Sequence, residues 1–349
     1  MTTRPRFSRF VRPALALVAV VALAACGSSE DSSSATTVTT PSPPSTAVTT
    51  TTAATRPDLG PGGPSGVAAP TPTEADVAYA DTSAAQTLDL WLPEGTAEPA
   101  PLVVWIHGGA FKLGDKAMVG GTVQPLLDAG YAVASVNYRL SGEALFPAGP
   151  QDVKAAVRFL RANAEDYGLN PDQFAAWGGS AGGNLAALLG TTGDQDTVLD
   201  DPALGNADTS SAVQAVVDWF GPTDFLQMDT QAASGEGSCA SPEQHDPASS
   251  PESEYLGAPI QTVPDEADAA NPITYVASAE ELPPFQIAHG DADCNVPFQQ
   301  SEILAEAIQD AGGEATLTIL PGATHADPQF DATQVEPAVA FLDEAFGRS

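Results

Sequence analysis

Apolar positions fall into two regimes along this chain. Residues 27–73 hold almost no large apolar side chain, whereas from about residue 74 short apolar runs alternate with turn-forming residues. Leu88, Leu90 and Leu92 recur at every second position, the pattern of a half-buried strand. Residues 102–106 (Leu-Val-Val-Trp-Ile) are continuously apolar, as expected of a strand covered on both faces, and residues 131–136 repeat the pattern. Val153, Ala156, Val157 and Leu160 then fall at i, i+3, i+4 and i+7, with Pro150 at the start and Asp152 in the first turn, which predicts an amphipathic helix between Gly149 and Gly168. Further strands are predicted at 174–177, 213–220, 285–288 and 315–320. Further helices are predicted at 181–189, at 297–311 closed by Gly312-Gly313, and at 335–346. Strand and helix alternating over about 275 residues imply a mostly parallel sheet with helices on both faces. The stretch 223–284 departs from this rhythm: it is rich in Asp, Glu, Ser, Gly and Pro, with short helical patterns only at 252–256 and 265–270. In an open α/β sheet the loops at the carboxyl ends of the strands build the ligand site, so this segment is expected to border a substrate pocket.

The amino-terminal part reads as targeting and tether. Arg4, Arg6, Arg9 and Arg12 precede an apolar run, 14–25, that is too short to span a bilayer comfortably and has the form of an export signal. It ends in Leu23-Ala24-Ala25-Cys26, which resembles a bacterial lipobox, in which the cysteine is lipidated and becomes the first mature residue. On that reading residues 1–26 are the signal segment. The protein is exported and held by Cys26 on the outer face of a bacterial cell membrane, or secreted if Cys26 is not lipidated. Residues 27–73, dominated by Ser, Thr, Pro, Ala and Gly, cannot bury enough apolar surface to offset the entropy of ordering and form a tether. At about 3.1 Å per residue in an extended polyproline-like state, such a tether reaches up to roughly 140 Å. Residues 74–349 are left as one catalytic domain. Acidic residues number 45 against 12 basic ones, and four of the basic ones lie in the signal segment. That balance repels phosphate backbones and excludes nucleic acid as a partner; contact with the membrane is through the lipid anchor only.

Candidate chemistry begins with Gly178-Gly179-Ser180-Ala181-Gly182, a G-x-S-x-G set between a predicted strand and a predicted helix. A nucleophile elbow needs that context, because its turn is sharp and lifts the serine hydroxyl to the amino end of the next helix. Ser180 is the candidate nucleophile. His107-Gly108-Gly109-Ala110-Phe111 directly follows the strand at 102–106 and has the form of a loop that presents backbone N–H groups to an oxyanion. The donors expected are those of Gly109, Ala110 and Ala181, with His107 and Gly108 supporting the turn from beneath. Of the four histidines, His107 belongs to this turn, His245 sits among acidic loop residues as a solvated side chain, and His289 ends a strand where it serves packing or a supporting hydrogen bond. His325, on the loop after the last predicted strand, is therefore the candidate base. Asp291 and Asp293 share one loop after a strand, and either could orient His325.

The motifs are jointly more specific than their roles. His107-Gly-Gly-Ala-Phe111, Val136-Asn-Tyr-Arg-Leu140, Phe146-Pro147 with 152–158, Tyr167-Gly-Leu-Asn-Pro171 and Trp177-Gly-Gly-Ser-Ala-Gly-Gly183 are followed by Phe220-Gly-Pro-Thr-Asp224, Asn271-Pro-Ile-Thr-Tyr275 and His289-Gly-Asp-Ala-Asp293 with Val296-Pro297. Over residues 102–326 the chain thereby resembles α/β-hydrolases of the bacterial bifunctional acetylxylan and feruloyl esterase-like group, near the hormone-sensitive-lipase-type esterases. The resemblance implies the α/β-hydrolase fold and carboxylic-ester hydrolysis through an acyl-enzyme. It selects Asp293, three residues past the His-Gly pair, as the triad acid with Ser180 and His325. It implies no metal or organic cofactor, and a small-molecule or polysaccharide ester as substrate, with short-chain acyl groups favoured. An amidase or peptidase could use the same triad, and a non-catalytic binding domain could keep the fold; the second is disfavoured because nucleophile, base, acid and oxyanion turn are all filled. A long-chain lipase would differ by interfacial activation. Export favours oxidation of the two remaining cysteines, so Cys239 and Cys294 are expected to pair and tie the substrate-side segment to the acid loop.

Overall fold

A computed structural model describes residues 67–95, 98–193 and 195–348. The signal segment, Cys26 and the tether as far as residue 66 lie outside the described residues. Eight strands are formed: β1 (Glu74–Ala78), β2 (Thr87–Trp91), β3 (Ala100–Ile106), β4 (Ala132–Val136), β5 (Leu169–Gly179), β6 (Ala215–Trp219), β7 (Phe285–Gly290) and β8 (Ala315–Leu320). They form one sheet in the order β1-β2-β4-β3-β5-β6-β7-β8. β1 and β2 enter antiparallel, β2 pairs antiparallel with β4, and every pairing from β4 to β8 is parallel.

β3 and β5 lie at the centre and are apolar on both sides because helices cover both faces. In β3, Leu102, Val104 and Ile106 belong to one hydrophobic cluster and Val103 and Trp105 to the other, which is the two-residue period of a strand with a core on each face. Four helices of twelve residues or more occur among the described residues: α1 (Ala148–Ala162), α2 (Ala181–Thr192), α3 (Gln299–Asp310) and α4 (Gln329–Ala345). Val153, Val157 and Leu160 of α1, Leu185 and Leu188 of α2, and Leu304 and Ile308 of α3 join the first cluster. Phe330, Ala338 and Leu342 of α4 join the second. In that second layer the register sets Trp105 beside Trp177, and Trp177 packs edge-on against Trp219 at 5.0 Å between ring centroids. Three tryptophans from adjacent parallel strands thus form the floor below the carboxyl ends of β3, β5 and β6.

The folded part starts earlier than composition suggests. Trp91 Nε1 donates to the carbonyl of Pro70 at 2.7 Å, and the Leu92 amide donates to Thr73 Oγ1 at 3.0 Å. The last residues assigned to the tether therefore run along β2. Strand β1 itself has no apolar period: four of its five residues are exposed, only Val77 packs against the core, and backbone pairing with β2 makes it a strand.

Candidate active site

The sequence Trp177-Gly-Gly-Ser-Ala-Gly-Gly183 makes a turn that larger residues cannot make. A Cβ on Gly178 would lie 2.1 Å from the carbonyl oxygen of Gly182, and one on Gly182 would lie 2.0 Å from that of Ile106. β5 can pass directly into α2 beneath β3 only with glycine at both positions. Ser180, between them, is held at φ 58° and ψ −126°, a strained conformation for a residue with a side chain. The Ser180 amide donates to the Trp219 carbonyl at 2.9 Å, which fixes the elbow to the end of β6.

Two other strand ends deliver the partners. The Ser180 hydroxyl donates to His325 Nε2 at 2.9 Å, and His325 Nδ1 donates to Asp293 Oδ2 at 2.7 Å. Asp293 follows β7 and His325 follows β8, so a chain of hydrogen bonds links the ends of β5, β7 and β8 across the end of the intervening β6. Asp293 is buried, and its Oδ1 accepts from the amides of Asn295 (2.8 Å) and Val296 (2.9 Å). Burial pushes its pKa up, but hydrogen bonds from His289 and His325 outweigh that and hold the carboxyl well below the usual range. It is therefore a carboxylate that keeps the proton of His325 on Nδ1 and leaves Nε2 to accept from the serine.

His289 supports this acid. Its Nε2 donates to the Val296 carbonyl at 3.0 Å and lies 3.3 Å from Asp293 Oδ2, and its Nδ1 pairs with Ser301 Oγ at 2.7 Å. Asp291 does different work: its Oδ1 accepts from the Gly322 amide (2.6 Å) and from Ser238 Oγ (3.0 Å), linking the acid loop to the His325 loop and to the 223–284 segment. Phe220, which the sequence reading left without a role, packs its ring edge-on to His325 at 4.9 Å and against Phe330 at 4.5 Å. It closes one side of the imidazole to water.

The turn after β3 faces the elbow. Ala110 and Phe111 both have left-handed φ, 55° and 58°, and the turn closes with Leu113 N donating to Gly109 O at 2.9 Å. The amides of Gly109 and Ala110 donate to no protein acceptor among the described residues. Ala181 opens α2, so its amide has no carbonyl one turn earlier to bond. All three residues line one cavity with Ser180 and His325. His107 lies underneath, stacked on Tyr138 at 4.5 Å, and the Tyr138 hydroxyl donates to the His107 carbonyl at 3.0 Å. Gly108 packs against Gly179, where an added Cβ would meet the Gly179 carbonyl oxygen at 2.7 Å.

The cavity measures about 320 Å³. Trp105, Leu113, Met118, Trp219, Phe220 and Val296 make its apolar wall, and the 223–284 segment closes it with Glu243, His245, Pro251 and Glu252. One expectation is corrected here: His245 is not a solvated loop histidine. It is 2% exposed, and its Nδ1 pairs with Glu252 Oε2 at 2.9 Å. Its acidic sequence neighbours suggested solvent, but Glu252 lies in the first turn of the helix Pro251–Leu256, which folds back over it.

Cys239 and Cys294 form a disulfide with a Cα–Cα distance of 5.2 Å. The Glu243 amide donates to the Cys294 carbonyl at 2.7 Å and the Ser238 amide to the Asp291 carbonyl at 2.7 Å, so the bridge pins this wall of the cavity to the acid loop. With the cysteines 55 positions apart in sequence, chain-entropy arithmetic gives about 4 kcal/mol. The double variant Cys239→Ser, Cys294→Ser is expected to unfold at lower urea by an amount equivalent to that figure; an unchanged midpoint would show that the bridge constrains nothing.

Comparison with known proteins places this geometry. The BD-FAE family profile matches residues 88–308. Esterase LipQ of Mycobacterium tuberculosis is 32% identical over 288 residues, covering 78% of this chain and 63% of LipQ. Esterase LipC of the same organism is 31% identical over 264 residues, covering 75% of this chain and 61% of LipC. The chain thus spans under two thirds of the length of these curated relatives. Among solved structures, a truncated form of a carbohydrate esterase from gut microbiota superposes with a TM-score of 0.71 at 34% identity, covering 80% of this chain and 98% of that one. A bifunctional GH43-CE protein of Bacteroides eggerthii gives 0.70 at 34% identity, covering 78% and 35%.

Proposed function

The chain belongs to the BD-FAE family of α/β-hydrolases, and from that premise we propose that it is a serine carboxylesterase acting on short-chain acyl esters, acetyl or feruloyl groups on polysaccharide among them. The observation that carries the proposal is the continuous hydrogen-bond chain from Ser180 through His325 to Asp293, opening into a cavity with unpaired backbone amides at its rim. Ser180 Oγ attacks the ester carbonyl carbon while His325 Nε2 takes its proton. The N–H of Ala181, with those of Gly109 and Ala110, receives the developing oxyanion. His325 then returns the proton to the departing alcohol oxygen, and a water molecule, deprotonated by the same nitrogen, releases the acid. Every step uses groups of this chain and water. Export, and anchoring through a lipid on Cys26, complete the proposal and rest on the signal-like sequence.

A cavity of about 320 Å³ lies at the small end of ligand pockets. That size suits acyl groups of two to four carbons beside an alcohol portion and favours them over a twelve-carbon chain. With p-nitrophenyl acetate, butyrate and laurate, kcat/KM is expected to be at least about tenfold higher for the two short esters than for laurate. A preference for laurate that rises at a lipid interface would make the protein a lipase. Cleavage of p-nitroanilides at rates comparable with the esters would make it an amidase.

A further inference from the structure

A second pair of buried ionisable side chains borders the cavity of Ser180 and takes no part in the hydrolytic steps. His245 and Glu252 are joined through Nδ1 and Oε2 at 2.9 Å, and both line the cavity. The pair is rigidly set. The His245 amide donates to Asp229 Oδ1 (2.6 Å), the Asp246 amide donates to Asp229 Oδ2 (3.0 Å), and Ser250 Oγ donates to the His245 carbonyl (2.6 Å). The other ring nitrogen, Nε2, is buried with no hydrogen-bond partner among the described residues. Buried polar atoms are almost always paired, and one left unpaired in a residue that lines a substrate cavity marks a place for a ligand atom.

We propose that the His245–Glu252 pair is a recognition subsite for the alcohol portion of the ester, with Nε2–H donating to a neutral hydroxyl oxygen there. The proposal rests on the esterase reading of Ser180. For esters of two- to four-carbon acyl groups the subsite falls to the alcohol portion, because such an acyl group carries no such oxygen. Burial opposes a charge on His245, but the hydrogen bond and charge of Glu252, with the charges of Asp229 and Glu243, hold its pKa above the ordinary histidine value. That direction favours the doubly protonated ring, in which Nε2–H is a donor that calls for an acceptor. An anionic acceptor is disfavoured: Glu252 already balances the ring, Glu243 lines the same cavity, and acidic residues outnumber basic ones 45 to 12. Glu243 accepts from Asn295 Nδ2 through Oε2 at 2.9 Å, which leaves its other carboxylate oxygen to accept the proton of a hydroxyl. A hydroxyl that accepts from His245 and donates to Glu243 satisfies both, whereas an alkyl chain leaves Nε2 unpaired.

The test compares glycerol 1-monoacetate with propyl acetate, which differ only in hydroxyl groups, by acetate release from the full-length protein. Wild type is expected to favour the glyceryl ester. His245→Phe, which keeps a planar ring, is expected to lower the ratio of the two kcat/KM values about tenfold or more, mainly through KM. Glu252→Gln, which removes the charge but leaves an acceptor for Nδ1, is expected to lower the ratio by a smaller factor. A ratio within twofold of wild type in folded His245→Phe, or in Glu252→Gln should the first variant not fold, overturns the proposal. Equal losses on both esters also overturn it, because they make the pair a structural prop. Acetate release that survives Ser180→Ala, or its absence in wild type, overturns the esterase reading itself and the subsite with it.

Discussion

Ser180→Ala is expected to lower kcat on p-nitrophenyl acetate by on the order of 10⁶, with the protein still folded. The loss follows from the geometry. Ser180 Oγ is the hydroxyl that the elbow sets beside the oxyanion amides, hydrogen-bonded to His325 Nε2, and without it that nitrogen has no serine hydroxyl to deprotonate. What remains is background turnover sustained by the oxyanion amides and by binding. The fold should tolerate the change, because the strain of the elbow lies in the backbone. Alanine also takes a positive φ at Ala110, 55°, against 58° at Ser180, and the elbow is anchored by the backbone bond from Ser180 to Trp219. Steady-state kinetics beside a thermal melt reads both quantities. Activity within tenfold of wild type would remove Ser180 from the mechanism, and a collapsed melting temperature would mean that the side chain has a structural role that this geometry does not reveal.

Asp293→Asn is expected to cost about 10⁴ in kcat, more than an acid-to-amide change costs where only orientation is at stake. The two oxygens of Asp293 are not equivalent. Oδ1 accepts from the amides of Asn295 and Val296, so an asparagine must place its carbonyl oxygen there and turn its NH₂ toward His325. An NH₂ donor facing Nδ1 forces the His325 proton onto Nε2, where it can no longer accept from Ser180. The same NH₂ also meets His289 Nε2–H, 3.3 Å from the present oxygen, as a second donor. Asp291→Asn is the matched control. Its Oδ1 accepts from Gly322 and Ser238, which an asparagine oxygen does equally well, so kcat is expected to fall by no more than about tenfold. If the Asp291 variant lost more than the Asp293 variant, the acid would have been assigned to the wrong residue.

Much of this was legible in the sequence because it is written locally. The central strands carry continuous apolar runs, α1 carries a 3.6-residue period, and the elbow carries glycines that nothing larger can replace. The order of Ser180, Asp293 and His325 along the chain translates directly into three strand ends, since sequential parallel strands deliver their loops to one edge of the sheet. What was not legible depends on tertiary pairing. β1 has no apolar period because Val77 alone of its five residues packs on the core, and its hydrogen bonds to β2 define it. The last helix begins at Gln329, six residues before its apolar pattern becomes clear, because Phe330 alone anchors its first turn. The burial of His245 is not legible because its acidic sequence neighbours resemble those of a surface loop. Its partner Glu252 is only seven residues away, but the pair is buried by the folding back of the whole 223–284 segment, which no local period announces.

The central claim, that Ser180 is the nucleophile that takes up the acyl group, is tested most directly by covalent trapping. Full-length protein is treated with a fluorophosphonate, digested, and the peptide spanning the elbow is sequenced by tandem mass spectrometry. The account predicts stoichiometric modification at Ser180, its disappearance in His325→Ala, which leaves the serine without its base, and loss of esterase activity in step with labelling. Full esterase activity in protein that carries no label on Ser180, or complete inactivation with the label on another residue, would contradict it.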